Sequence, residues 1–199
     1  MVPTPNPERR NERSRRATLA ATIELIAARG YGKVTIEAIA TQAGASKQTI
    51  YRWWPSKAAL ALEAINDYIG EAIDFPDTGD ITTDLTTQIS EVTDLLTGPI
   101  GTVFRGVIAD AQSDPSVGAA LRETIIEPRT RLCEARLAAA VAAGQLRADV
   151  PTRVMVEMLY SVVYYRLLFG TDELDPRKTP AFLEYVFTGL RPLPPRAEP

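Results

Sequence analysis

Apolar residues along this chain recur three and four positions apart, which is the spacing that places side chains on one face of an α-helix. The first such set is Leu19, Ile23, Ile26 and Ala27, and Gly30 follows it as a helix stop signal. Comparable sets continue to about residue 189, and the alternation typical of a half-buried strand is missing between the two tails. The pattern therefore predicts an all-α protein of about nine helices.

Caps, prolines and glycines divide the pattern into separate helices. Hydroxyl side chains that can cap a helix stand before the second, third and fourth helices, at Thr35, Ser46 and Ser56. Later helices are predicted over about residues 81–97, 101–112, 115–143, 151–169 and 176–189. Pro128 lies inside the third of these and has no backbone N–H, so we expect a kink or a break there.

Loops and tails suggest four parts of the chain. Residues 1–14 carry three prolines and several arginines and are predicted to form a disordered basic arm, and residues 191–199 a Pro-rich tail. The segment DFPDTGD at 74–80 is a predicted domain boundary. It separates an N-terminal domain at 15–70, which includes a connecting helix, from a C-terminal domain at 71–190.

Charge is distributed unevenly between the two ends. Residues 1–66 carry ten Lys and Arg against five Asp and Glu, whereas residues 67–199 carry twelve against twenty, within a total net charge of -3. A basic end on an acidic body indicates nucleic-acid contact confined to that end. Chance clustering of charges on solvated faces is the alternative explanation.

Composition removes several function classes. The chain has no histidine and one cysteine, Cys133, so it lacks the ligands of ordinary zinc sites and the base of His-dependent catalysis. No secretory signal or membrane-length apolar run is present, and an intrachain disulfide cannot form. We expect a cytoplasmic protein with no cofactor, no metal site, no membrane partner and no enzymatic activity.

The stretch TIEAIATQAGASKQTIYRWWPSK at 35–57 has the features of a helix-turn-helix. From Ser46 to Trp54 is nine residues, about 13 Å of helix, which suits a major groove about 12 Å wide. Gly44 supplies the turn, and Ile50 is predicted to point inward as the packing anchor. The second helix then leaves its polar side chains for DNA.

The polar side chains of this stretch divide by chemistry. Gln48 can read an adenine edge, Lys47 can reach guanine or a phosphate, and Thr49 can touch thymine or a phosphate. Trp53 can donate its indole N–H to a phosphate or simply pack, and an ion pair would equally explain Arg52. The predicted DNA-binding residues are Thr35, Ser46, Lys47, Gln48, Thr49, Tyr51, Arg52, Trp53, Lys57, Arg15 and Arg16.

A resemblance to a known family rests on ARGY at 28–31 and TIEAIATQAGASKQTIYRWWPSKAALALEA at 35–64. About fifty residues of this chain resemble the TetR family of one-component transcriptional regulators. The combination of AGAS, TIY and PSK at this spacing is specific, although Trp53 departs from the polar residue that the family often has there. The resemblance implies that the helices after residue 70 form a bundle that receives a ligand and dimerises.

One recognition helix contacts too few base pairs to mark a single genomic site, so a two-fold pair is expected. The predicted dimer interface is Met155, Met158, Leu159, Val162, Phe182, Tyr185 and Val186. The predicted ligand-binding residues are Phe104, Ile108, Leu121, Ile125, Tyr160 and Tyr164. An ordinary intrachain core is the alternative for both sets.

The sequence therefore predicts a homodimeric, sequence-specific DNA-binding regulator. We interpret it as a repressor that a small hydrophobic or amphipathic effector releases from a palindromic operator of double-stranded DNA. Two alternatives stay open: a DNA-binding accessory or architectural protein without a ligand switch, and a helical-bundle enzyme. The missing histidines weigh against the enzyme.

Overall fold

A computed structural model describes residues 7–70 and 75–192 of the chain, with side chains from residue 11 onward. Within these segments the regular structure is helical, and the prediction of an all-α fold is confirmed. The α-helices are α1 Pro7–Arg29, α2 Ile36–Ala43, α3 Lys47–Trp53, α4 Lys57–Ile69, α5 Ile81–Thr97, α6 Pro99–Ser113, α7 Pro115–Leu121, α8 Glu127–Ala142, α9 Thr152–Phe169 and α10 Thr179–Leu190.

The helix predicted over 115–143 is broken into α7 and α8 by a π-helical turn at Arg122–Ile126. The expected break at Pro128 is thus confirmed. Pro128 cannot donate an N–H to the carbonyl four residues earlier, that of Thr124. This carbonyl instead accepts a hydrogen bond from Asn66 Nδ2 of α4 at 3.3 Å.

The predicted disordered arm needs correction where the structure describes it. Residues 7–14 belong to α1, which starts at Pro7. Glu12 pairs with Arg15 and Arg16 at 3.4 and 2.8 Å, and these three- and four-residue spacings support the first turns of a helix. Residues 1–6 of the arm and 193–199 of the predicted tail lie outside the described residues.

Contacts divide the chain into two compact units. The first unit contains α1 to α4 together with α6 and α7, and the second contains α5 and α8 to α10. Helices α6 and α7 therefore pack with the N-terminal helices, although the sequence places them after the predicted boundary at residue 70. The domain division at that boundary stays a prediction.

The first unit has a continuous apolar core. α1 packs on α2, α4 and α6, and α4 packs on α6 and α7. The side chains of Ile26, Ile39, Ile50, Leu60 and Ile65 are fully buried in it. Burying each such side chain stabilises the fold by about 1.5–3 kcal/mol, so this core fixes how the short helices α2 and α3 lie.

Helix α6 packs closely against the turn between α1 and α2 at Gly106, a residue that has no side chain. A β-carbon at this position would overlap Cβ and Cγ of Tyr31. One turn further along α6, Asp110 accepts a hydrogen bond from the Tyr31 hydroxyl at 2.8 Å. Gly106 thus allows α6 to approach Tyr31 closely, and the hydrogen bond to Asp110 fixes the orientation of the Tyr31 side chain against α6.

The second unit contains a buried ion pair beside its apolar core. Asp84 of α5 is 1% exposed and accepts a hydrogen bond from Arg136 Nη2 of α8 at 2.5 Å. Burial alone would raise the pKa of Asp84, but hydrogen bonds from Thr78 and Arg136 outweigh it and lower this pKa. Asp84 thus binds both Thr78 in the loop before α5 and Arg136 in α8, and it holds this loop against α8.

A second polar group in this unit surrounds Cys133 of α8. The Tyr160 hydroxyl donates to Gln88 Oε1 at 2.5 Å, and Gln88 itself is 2% exposed. Burial, reinforced by the charge of Glu134, raises the pKa of the Cys133 thiol to about 12. A thiol in this position is a poor nucleophile and a poor redox sensor.

We expect Gly106→Ala to destabilise the protein. The overlap with Tyr31 costs about 1–3 kcal/mol and exceeds the gain of up to about 1 kcal/mol that alanine brings to a helix. The matched control is Gly189→Ala in α10, where an added β-carbon has no atom within 4 Å. Urea denaturation at fixed protein concentration measures both, and equal free energies of unfolding for the two variants would contradict the close approach.

We expect Cys133 to react with a thiol reagent only after unfolding. With a pKa of about 12, roughly one thiol in ten thousand is ionised at pH 8, and the side chain is 1% exposed. Because the chain has one cysteine, absorbance from the released chromophore reports this residue alone. Full labelling of the native protein within minutes would contradict the buried position, and rapid labelling in denaturant serves as the control.

Candidate nucleic-acid interface

Two capped helices and a left-handed glycine form the predicted helix-turn-helix. Thr35 Oγ1 accepts from the Ala38 N–H at 3.2 Å at the start of α2, and Ser46 Oγ accepts from the Thr49 N–H at 3.0 Å at the start of α3. Between them Gly44 has φ +63°, a conformation that side-chain-bearing residues rarely adopt. These local signals set the direction of α3 relative to α2.

The inward side of α3 is held by apolar packing and one buried donor. Ile50 is fully buried, and Trp54, directly after α3, is 3% exposed. The indole N–H of Trp54 donates to Glu63 Oε2 of α4 at 2.6 Å. The other oxygen of Glu63 accepts from Arg15 Nε of α1 at 2.7 Å, and Arg15 also reaches Asp67 at 3.2 Å.

We call Arg15, Trp54, Glu63 and Asp67 the Glu63 cluster. It joins α1, α4 and the end of α3 through hydrogen bonds in which one partner is charged. Such bonds contribute about 1.5–3 kcal/mol each when they are shielded from water, and less where the group is partly exposed as Glu63 is. The cluster therefore complements Ile50 in fixing the axis of α3.

The outward side of α3 presents polar and basic groups to solvent. Lys47, Gln48, Tyr51 and Arg52 are exposed, and Thr49 is half-buried. Lys47 forms an ion pair with Glu37 of α2, which raises the pKa of Lys47, and its ammonium lies 5.7 Å from the centre of the Tyr51 ring. This face thus combines four of the residue types that contact bases and phosphates: lysine, glutamine, tyrosine and arginine.

The predicted capping residues already have partners within the helix-turn-helix. Thr35 is exposed, and its oxygen accepts the Ala38 N–H. Its hydroxyl also bonds the Glu37 carboxylate and, together with the stronger effect of Lys47, lowers the pKa of Glu37. The hydroxyls of Ser46 and Thr49 lie 2.8 Å apart and bond to each other. Trp53 is half-buried with its ring 5.5 Å from that of Trp54, a packing contact.

Two predicted phosphate contacts have internal partners instead. Lys57 Nζ donates to the carbonyl oxygens of Tyr31 and Val34 at 2.8 and 3.3 Å and lies 4.1 Å from the centre of the Tyr31 ring. Arg15 belongs to the Glu63 cluster. Neither group is presented to solvent as a free cation, because backbone carbonyls and carboxylates of the first unit hold them.

Other basic side chains remain on the surface near α1 and α3. Arg16 pairs with Glu12 at 2.8 Å, but its side chain is 72% exposed. Arg13 and Arg52 are exposed and make no ion pair with any residue that the structure describes. Their guanidinium groups can approach DNA phosphates without first giving up a carboxylate.

The predicted dimer residues separate into core and surface. Met155 and Leu159 are fully buried in the core of the second unit, so they do not form an outer face. Met158 and Tyr185 are 38% and 83% exposed, and the remaining three are half-buried: Val162, Phe182 and Val186. That α9 and α10 form the dimer interface stays a prediction. Helical periodicity alone could not separate the outer side of α9 from its inner side, because both sides are apolar.

An exposed apolar surface extends this set along α9. Tyr165 and Phe169 are 57% and 69% exposed, their rings lie 5.1 Å apart, and Leu168 is 41% exposed. We call the set the α9/α10 face, which consists of Met158, Val162, Tyr165, Leu168, Phe169, Phe182, Tyr185 and Val186. Helices α9 and α10 pack on each other, so the face is one surface of the second unit.

The predicted ligand-binding residues fall in different units. Phe104, Ile108, Leu121 and Ile125 belong to the first unit, where all but the half-buried Ile108 are buried. Tyr160 and Tyr164 belong to the second unit, and their rings lie 6.4 Å apart. Burial raises the pKa of both hydroxyls, so both stay protonated donors at neutral pH.

Neither a metal site nor a membrane span is found among the residues that the structure describes. No group of three or more acidic, cysteine or histidine side chains that could hold a metal ion occurs among the residues with described positions. In the same parts of the chain, no helix is long and apolar enough to cross a bilayer.

Comparison with known proteins covers both parts of the chain. The family model described as "Bacterial regulatory proteins, tetR family" matches residues 19–64. The model described as "Tetracyclin repressor-like, C-terminal domain" matches residues 75–186, more than half of the chain.

Individual relatives match over nearly the whole chain. YdeS, an uncharacterized HTH-type transcriptional regulator of Bacillus subtilis, is 29% identical over 92% of this chain and 92% of its own. The crystal structure of the TetR family transcription regulator SCO0332 is 36% identical, with a TM-score of 0.74 over 90% of this chain and 99% of that one. FadR of Bacillus subtilis, crystallised with stearoyl-CoA, shares the fold at 20% identity, with a TM-score of 0.75 over 88% of this chain and 99% of that one. With the helix-turn-helix geometry, these matches establish that the chain belongs to the TetR family of transcriptional regulators.

Proposed function

We propose that this protein is a cytoplasmic, homodimeric repressor that reads a palindromic operator through the outer face of α3. The observation that carries the proposal is the division of α3 into two sides. Ile50 and the neighbouring Trp54 anchor the inner side, while Lys47, Gln48, Tyr51 and Arg52 are exposed on the outer side. The match of the C-terminal part to a repressor-like family model supports repression over activation.

Each outer side chain has a distinct task in this proposal. Gln48 forms a bidentate contact with an adenine edge, and Tyr51 and Arg52 bind the sugar–phosphate backbone. Lys47 exchanges its ion pair with Glu37 for a guanine or a phosphate. Because that ion pair is exposed, it contributes little to stability, and giving it up costs little.

Dimerisation through the α9/α10 face supplies the two recognition helices that the two half-sites of one operator need. The face exposes large apolar side chains, Tyr185, Phe169 and Tyr165 the most strongly. Aromatic residues and methionine are the types enriched at protein interfaces, and contiguous exposed apolar surface on a monomer indicates a partner. A second copy of this chain covers the face, which places two α3 helices about a two-fold axis.

An apolar or amphipathic effector controls operator binding in this proposal. FadR, which has the same fold, was crystallised with stearoyl-CoA, and this supports an amphipathic ligand for the bundle. We propose that Tyr160 and Tyr164 orient it, Tyr160 as an acceptor because its hydroxyl already donates to Gln88. The effector acts by binding one conformer more tightly than the other, and this changes the affinity for the operator by some factor. Because such coupling is reciprocal, the operator changes the affinity for the effector by the same factor.

We expect selection from a pool of random duplexes to yield a pseudo-palindrome. In a repeat of the selection, Gln48→Ala relaxes the preference at one base pair in each half-site because it removes a base contact worth about 1–3 kcal/mol. Arg52→Ala instead weakens all duplexes alike and reduces the salt slope by about 1 because it removes a phosphate contact. Selection of no sequence would indicate an architectural binder, and the absence of DNA binding would contradict the proposal altogether.

We expect Phe169→Asp together with Tyr185→Asp to convert the dimer into a monomer. Two carboxylates in an apolar interface would be buried without partners, which costs several kcal/mol. Sedimentation velocity measures the oligomeric state, and the selected duplex should lose more than tenfold in affinity. Tyr68→Asp, on an exposed tyrosine of α4, is the control and should remain a dimer. A dimer in both variants would place the interface elsewhere.

A further inference from the structure

Tyr31, in the short turn between α1 and α2, contacts two other helices, α6 and α4. Its hydroxyl donates to Asp110 Oδ2 of α6 at 2.8 Å, and its side chain is 9% exposed. Its carbonyl oxygen and its ring both face the ammonium group of Lys57, the first residue of α4. All these residues belong to the first unit, so the contacts lie within one packed body.

The contact with α6 is both close and directional. Gly106 and Asp110 are four residues apart and lie on the same side of α6. Tyr31 occupies the space that a side chain at Gly106 would need, which leaves no gap for a small sliding movement. Burial and the bond to Asp110 raise the pKa of the Tyr31 hydroxyl, so it remains a donor throughout the physiological range.

The contact with Lys57 continues to the helix-turn-helix. Lys57 Nζ donates to the carbonyls of Tyr31 and Val34, and Val34 precedes Thr35, the N-cap of α2. The start of α2 and the start of α4 are therefore tied to the same ammonium group. A movement of Tyr31 would therefore act on α2, against which α3 packs, and on α4, whose Glu63 holds Trp54 at the end of α3.

We propose that Tyr31 is a positioning residue for DNA recognition, which sets the orientation of α3 according to the position of α6. The inference rests on the proposed function and names a route by which α6 acts on operator binding. Because the Tyr31–Gly106 contact leaves no slack, α6 can move relative to the turn only by breaking the bond to Asp110 or by carrying the turn with it. Tyr31 thus couples a movement of α6 to a movement of the turn that precedes α2.

The test compares the full-length chain with Tyr31→Phe, Asp110→Asn and the double variant. Phenylalanine keeps the ring over Gly106 and under Lys57 and removes only the hydrogen bond. The probes are the duplex selected by the wild-type chain, the same duplex with half-sites one base pair closer or further apart, and a random duplex. Tyr68→Phe, an exposed tyrosine of α4, is the matched control.

We expect Tyr31→Phe to bind the selected duplex about tenfold more weakly, with unchanged affinity for the random duplex. Its affinity for the selected half-site spacing should also approach its affinity for spacings one base pair closer or further apart, because α3 is held less rigidly. Asp110→Asn alters the same bond, so the double variant should lose no more than Tyr31→Phe alone. Tyr68→Phe should match the wild type in every measurement.

A purely structural role would lower the melting temperature of Tyr31→Phe and leave its affinity and spacing preference at the wild-type values, and this would overturn the inference alone. Additive losses in the double variant would also overturn it, because the two groups would then act independently. A wild-type chain that selects no duplex would overturn the proposed function and, with it, this inference.

Discussion

Helix α3 has seven residues, and a helix of this length does not persist in water by itself. Its existence and its direction depend on what holds its inner side: the Ser46 cap, the buried Ile50 and the Glu63 cluster. The rest of the first unit can be understood as support for these contacts. In the proposed function, sequence recognition therefore depends on α1, α3 and α4 together, although only α3 is proposed to contact the bases.

The same constraint explains which basic residues remain available to DNA. Lys57 and Arg15 lie close to α3 in space, but carbonyls and carboxylates of the first unit occupy them. Lys47 and Arg52 point away from the core and stay exposed. Some basic side chains of the first unit hold its helices together, so the number of basic residues exceeds the number that can contact phosphates in the proposed complex.

Local signals predicted the helices well, because caps, prolines and glycines act within four residues. Thr35, Gly44 and Ser46 were sufficient to outline α2 and α3, and Pro128 marked the break before α8. The long-range partners of Lys57 and Arg15 could not be predicted, since they are 23 to 52 residues away along the chain. For α9, both sides are apolar, so separating the buried Met155 from the exposed Met158 required the packing of α10 and α5.

If operator specificity depends on the contacts that hold α3, Glu63→Ala should reduce it. This change removes the acceptor of the Trp54 indole N–H and of Arg15 while leaving every outer side chain of α3 in place. The measurement is the ratio of the affinities for the selected duplex and for a random duplex in a variant whose helical content matches the wild type. We expect the ratio to fall at least tenfold through weaker binding of the selected duplex alone. An unchanged ratio would show that α3 is oriented without the Glu63 cluster and that specificity does not depend on it.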